Sequence, residues 1–175
     1  NPITWLSTEH MNQWLSLLRF PFLFWLLVGG LVFSCAAQDP YFVHYDNKDG
    51  LSSTVTYAVF QDSKGYIWVA SDLGVSRFDG KVFKNYTPSD GLSDNDVFDF
   101  FEDSQGRIWL STFNGAPCYF KDEVFFNASN DPILKDLVVP TFISQVLEEE
   151  NGNIHLISHG PISKVLTPDK QRYTF

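Results

Sequence analysis

Asp94, Asp96 and Asp99 stand close together beside Asn95. Paired carboxylates cleave glycosidic bonds when they face each other across a sugar, about 5–9.5 Å apart. Neighbours in one turn meet that separation only by accident, so this group reads as a solvated loop. Asp62 and Asp103 each precede a glycine (Gly65, Gly106) by three residues. In such a turn the carboxylate caps backbone amides, and the alternating acids of a calcium loop are missing. Trp68 and Trp109 have the rings to stack on a sugar. Their neighbours Ile67, Val69, Ile108 and Leu110 are apolar as well, which marks strands buried on both faces and the indoles as core. Cys118 lies in no motif, and His44 and His159 lack metal-ligand spacing. There is no glycine-rich phosphate loop and no nucleophile elbow. No catalytic residue, metal or cofactor is expected. Asn85-Tyr86-Thr87 and Asn127-Ala128-Ser129 match the glycosylation sequon, which carries little weight if the source is bacterial.

The elements that would position such residues follow from composition and pattern. The chain has 175 residues, 17% aromatic and 19% charged, enough apolar surface for a packed domain. Its net charge of −9 argues against nucleic acid or an anionic membrane as the main partner, since either needs a basic patch. Two cysteines, Cys35 and Cys118, exclude a disulfide scaffold.

Residues 20–34, FPFLFWLLVGGLVFS, carry no charge and follow Arg19; Cys35, Ala36 and Ala37 come next. A basic region, an apolar stretch and small residues make a secretory signal peptide, with cleavage expected after Ala37. The run is shorter than the 18 or so residues of a membrane span and carries Pro21 and Gly29-Gly30. An uncleaved anchor and lipidation at Cys35 are the alternatives. Met11 is the expected start, so 1–37 comprise upstream residues and signal, and 38–175 the exported part. Export removes Glu9 and Arg19, leaving the charge at −9.

The exported part repeats. Gly50-Leu51-Ser52 recurs as Gly91-Leu92-Ser93, an offset of 41 that also maps Asp62-Ser63, Gly65, Ile67-Trp68 and Gly74 onto Asp103-Ser104, Gly106, Ile108-Trp109 and Gly115. A third copy, VLEEENGNIHLIS, follows at an offset of 46, with the five added residues expected in the polar stretch 127–136. Each unit reads as four short strands: 55–61, 66–70, 75–78 and 82–86 in the first copy, 96–102, 107–111, 116–120 and 123–126 in the second. Alternating β-branched and aromatic residues fill them, and Asp/Gly turns separate them. Four antiparallel strands per 40 residues or so make a β-propeller blade. The fold class is all-β: about three blades of an incomplete ring, with repeats at about 42–83, 84–125 and 126–166. A closed ring needs about 4–8 blades, so the chain reads as the N-terminal part of a longer protein.

On DSKGYIWVASDLGVSRFDG and DSQGRIWLSTFNGAPCYF, the chain resembles the two-component regulator propeller repeat family. The family positions fall on Asp62, Gly65, Ile67-Trp68, Ser71, Gly74 and Phe78, and on Asp103, Gly106, Ile108-Trp109, Thr112, Gly115 and Tyr119. The third copy departs, with His155 in place of tryptophan. FVHYDNKDGLSSTVTYAVFQDSKG resembles the start of exported sensor regions of Bacteroidetes-type histidine kinases. The resemblance implies a periplasmic sensor region, further blades, a triple-tyrosine module, a membrane helix and a kinase or hybrid kinase output. It also implies an oligosaccharide or other small extracellular ligand and a homodimer, with no nucleic acid contact by this segment.

In a propeller the fourth-to-first and second-to-third connections share one rim, and scaffolded loops carry binding residues. That rim holds Ser52, Ser53, Asp72, Leu73, Ser93, Asp94, Asn95, Phe113 and Asn114. Asp72, Phe113, Asn114, Asp94 and Asn95 are the expected ligand contacts. The frame itself is expected to rest on Asp62, Gly65, Trp68, Gly74, Asp103, Gly106, Trp109 and Gly115. An exported propeller-type carbohydrate-active enzyme and a non-catalytic adhesion or assembly scaffold are the other readings.

Overall fold

The computed structural model describes residues 41–169 and 172–175. The expected signal segment, its cleavage site and Cys35 lie outside the described residues. By contact the chain divides into Asn1–Val43 and His44–Phe175. In the first unit the described residues, Tyr41, Phe42 and Val43, are exposed and irregular. The described helices and strands all belong to the second unit.

That unit is all-β and builds three propeller blades, each a four-stranded antiparallel sheet with strands in sequential order. The first blade is β1 (Thr56–Gln61), β2 (Ile67–Ser71), β3 (Gly74–Phe78) and β4 (Phe83–Tyr86). The second is β5 (Val97–Glu102), β6 (Ile108–Thr112), β7 (Cys118–Lys121) and β8 (Val124–Phe126). The third is β9 (Ile143–Glu148), β10 (Ile154–Ser158), β11 (Lys164–Leu166) and β12 (Arg172–Thr174). Its last strand lies beyond the 126–166 span expected for that repeat. A three-residue strand is too short for an alternating pattern to reveal it.

The turns close as their residues dictate. Asp79 accepts from the amides of Lys81 and Val82 at 2.8 and 2.9 Å, closing the β3–β4 hairpin, and these bonds hold its carboxyl below the usual range. The β7–β8 hairpin is different. Asp122 and Glu123 both take positive φ, 49° and 63°, a conformation that normally selects Asn-Gly.

Blades stack through rows of side chains that are partners across the strands. Phe60 pairs with Trp68 in the first blade, and Phe101 with Trp109 and Trp109 with Tyr119 in the second. Trp68 packs with Tyr86, Phe100, Phe120 and Phe125 between the first two blades, and Trp109 with Tyr119, Ile143 and Leu156 between the next two. Both indoles are fully buried. The added residues between the second and third blades are not all polar filler. Pro132–Leu137 forms a 3-10 helix that buries Leu134 and Leu137 in the second seam.

A repeated latch joins neighbouring blades. Glu102, at the end of β5, accepts from Ser63 N and Oγ at 2.7 and 2.5 Å. Glu148, at the end of β9, accepts from Ser104 N and Oγ at 2.7 Å each. Cys118 is buried between the first two blades, and burial pushes its thiol up to about 12.

Candidate functional site

The turns at Asp62–Gly65 and Asp103–Gly106 lie at one end of the strands. Asp62 Oδ1 accepts from Lys64 N and Tyr66 N, and Oδ2 from the Trp68 indole at 2.8 Å. Asp103 does the same for Gln105 N, Arg107 N and the Trp109 indole. These carboxylates are saturated by the frame.

The opposite end carries the rim. Here each first strand is broken at its start by a one-residue register shift, between Thr56 and Ala58 in β1 and between Val97 and Asp99 in β5. The unpaired residues are Tyr57 and Phe98, and β9 has the same shift with Ser144 unpaired. A bulge twists the strand and re-aims the side chain of its extra residue. The rings of Tyr57 and Phe98 accordingly lie 5.1 Å apart across the first seam. Phe98 meets Phe113, on the β6–β7 turn, at 6.0 Å, and Phe142, just before β9, at 5.8 Å. Phe113 and Phe142 are nearly parallel at 6.4 Å, and Phe142 stacks on His159 of the β10–β11 turn at 4.8 Å. A continuous band of five rings therefore crosses all three blades. Phe113 is 57% exposed and Tyr57 45%.

The other expected contacts reach the same rim in a different capacity. Asp72 Oδ1 accepts from Ser53 Oγ at 2.5 Å, tying the β2–β3 turn to the loop before β1. In the second blade the roles are exchanged. Asp94, on the loop before β5, accepts from Asn114 N at 2.8 Å, and Asn114 Nδ2 donates to Ser93 O at 2.6 Å. Asn95 gives its carbonyl to Gly74 N at 2.8 Å. Asp72, Asp94 and Asn114 thus brace the loops, and Phe113 joins the exposed band. Sequence reasoning missed Tyr57, Phe98 and Phe142. Its available signal was an aromatic at the 41-residue offset, Tyr57 onto Phe98.

The rim is acidic. Segments 51–57, 71–74, 93–98, 112–116, 138–143 and 158–162 hold Asp72, Asp94 and Asp96 but no lysine or arginine. The Tyr57 phenol is held above its usual value, first by desolvation and then by Asp96 and Asp72. The seams of the other end carry arginines paired with acids. Arg77 makes a bidentate pair with Glu123 at 2.6 and 2.8 Å and fills the first seam, lying over Tyr66. In the second seam a concavity of about 130 Å³ remains, lined by Arg107, Tyr119, Asp131 and Leu134 among others.

Residues 50–72 and 91–114 match the family described as two component regulator propeller. No curated protein matches the chain. Among solved structures, the chain is similar to the extracellular domain of the hybrid two component system BT3049 from B. thetaiotaomicron, at 22% identity and a TM-score of 0.65. That match covers 79% of this chain and 19% of the other, so the chain spans about a fifth of its relative. Virginiamycin B lyase from Staphylococcus aureus is similar at 14% identity and a TM-score of 0.58 in its catalytically inactive H270A form with quinupristin, over 79% of this chain and 46% of that one. These likenesses concern the fold.

Proposed function

We propose, from a chain that carries two repeats of the two-component regulator propeller family, that these blades are a ligand-sensing segment of an exported two-component sensor whose output is a histidine kinase. The observation that carries the reading is the ring band. Five rings from three blades, four of them phenyl or phenol and the fifth the His159 imidazole, offer a stacking surface on loops braced by their own hydrogen bonds. Binding, rather than chemistry, is what such a surface supports. A small extracellular ligand such as an oligosaccharide would lie across the rings. It would signal only through different affinity for two states of the propeller or of its dimer. Export through the N-terminal signal and tethering by a downstream membrane helix complete the reading.

The test is calorimetric titration of the full sensor region with an oligosaccharide panel. Tyr57→Ala and Phe113→Ala should weaken the binding oligosaccharide about tenfold, with stability changed by no more than about 1 kcal/mol, as for exposed positions. Unchanged affinity in both variants would remove the site from this rim.

A further inference from the structure

One acid on the rim differs from its neighbours. Asp96 occupies the place of Val55 in the first blade and Phe142 in the third, so a carboxylate interrupts the ring series. Its carbonyl accepts from Phe113 N at 3.1 Å, which sets the two residues side by side on the rim, and its charge is felt at Tyr57. Asp72 is bonded to Ser53, and Asp94 to Asn95 and Asn114. The half-buried Asp96 side chain takes no hydrogen bond or ion pair from any described residue. The rim segments supply no lysine or arginine to answer it. Described cations with named partners sit elsewhere: Arg77 and Lys84 on Glu123, Arg107 on Asp103.

A carboxylate on the same rim as a band of rings, with no lysine or arginine beside it, attracts an organic cation twice over. The negative faces of the rings and the full charge of the acid act in the same direction. An anionic ligand meets the reverse, three carboxylates and no lysine or arginine, which is discrimination by repulsion. We propose that the rim selects a ligand bearing a protonated amine, which Asp96 holds while the rings of Tyr57, Phe98 and Phe113 pack against its apolar flank. The proposal rests on the reading of this rim as the ligand site.

Two probes separate charge from shape. The β-1,4-linked glucosamine trimer and cellotriose share linkage and length and differ at carbon 2, ammonium against hydroxyl. Both are titrated calorimetrically into the full-length protein at about pH 6, where the sugar amine is charged. The glucosamine trimer should bind at least about tenfold more tightly, and added salt should narrow the gap. In Asp96→Asn, checked for an unchanged melt, the preference should fall to within about twofold while cellotriose is unaffected. Equal affinities in the native protein, a preference that survives Asp96→Asn, or no binding of the glucosamine trimer overturns the proposal. If either probe binds and Phe113→Ala does not weaken it, the rim reading itself falls. If Phe113→Ala weakens both probes equally and no amine preference exists, only the charge selection falls.

Discussion

The indole Nε1 of Trp109 donates to Oδ2 of Asp103 at 2.7 Å, six residues back across a turn, and Trp68 does the same to Asp62 at 2.8 Å. In the third blade Glu149 Oε1 stands 3.0 Å from His155 Nε2 with the same spacing. A longer carboxylate faces a smaller ring, so the pairing of acid and ring nitrogen survives the change of both residues. The aspartate version closes two backbone amides as well, which makes each turn and its buried indole one unit.

Asp103→Ala should therefore cost about 3 kcal/mol in chemical denaturation, because it strands a buried indole N–H together with turn amides. Asp103→Asn keeps one carbonyl oxygen for the turn amides but turns its NH2 toward the Trp109 indole and Arg107 Nε, and should cost about 2 kcal/mol. Equal losses would mean that the carboxylate's charge, not its acceptor geometry, holds the turn.

Gly115 and Gly106 make a matched pair. Both have positive φ, 73° and 69°. A Cβ on Gly115 would lie 2.2 Å from Thr141 O and 2.3 Å from Val139 O, whereas one on Gly106 meets nothing within 4 Å. Gly106→Ala should cost about 1 kcal/mol from the left-handed backbone alone. Gly115→Ala should exceed it by about 2 kcal/mol or more, since the chain entering the third blade must move. Melts of the two variants side by side read the difference.

The Glu123–Arg77 pair predicts an acid limb. The hydrogen bond from Arg77 holds the Glu123 carboxyl below its ordinary 4.5. A depressed value contributes stability above the unfolded-state value and loses it as pH falls through the folded one. Native protein should lose its advantage over Glu123→Gln on acidification below about pH 4.5, and keep it unchanged from there to neutral. A constant difference down to about pH 2 would remove the pair from the acid response.

Asn114→Ala separates bracing from contact. An exposed loop residue would cost under about 1 kcal/mol, but its amide holds Ser93 O and Ala116 N. The expected loss is about 1–2 kcal/mol, with ligand affinity falling only as the rim loosens. Lost affinity with an unchanged melt would make Asn114 a direct contact.

The sequence alone determined what depends on near neighbours. Period-two alternation and Asp/Gly turns mark the strands of the first two blades, and the 41-residue offset shows that they stack. Burial of Trp68 and Trp109 follows from apolar residues on both sides of each. The tertiary structure decided what depends on register and on the partner blade. Bulges exist only relative to an opposing strand, so nothing local announced that Tyr57 and Phe98 would turn their rings onto the rim. Asp94 and Asn114 look free in the chain because the groups that answer them are some twenty residues apart. The latches of Ser63 to Glu102 and Ser104 to Glu148 span 39 and 44 residues. Asp122-Glu123 opposes local preference by taking left-handed backbone, and Glu123 meets Arg77 of the neighbouring blade there. In each case the deciding contact lies between strands or between blades, where the sequence near either partner carries no signal.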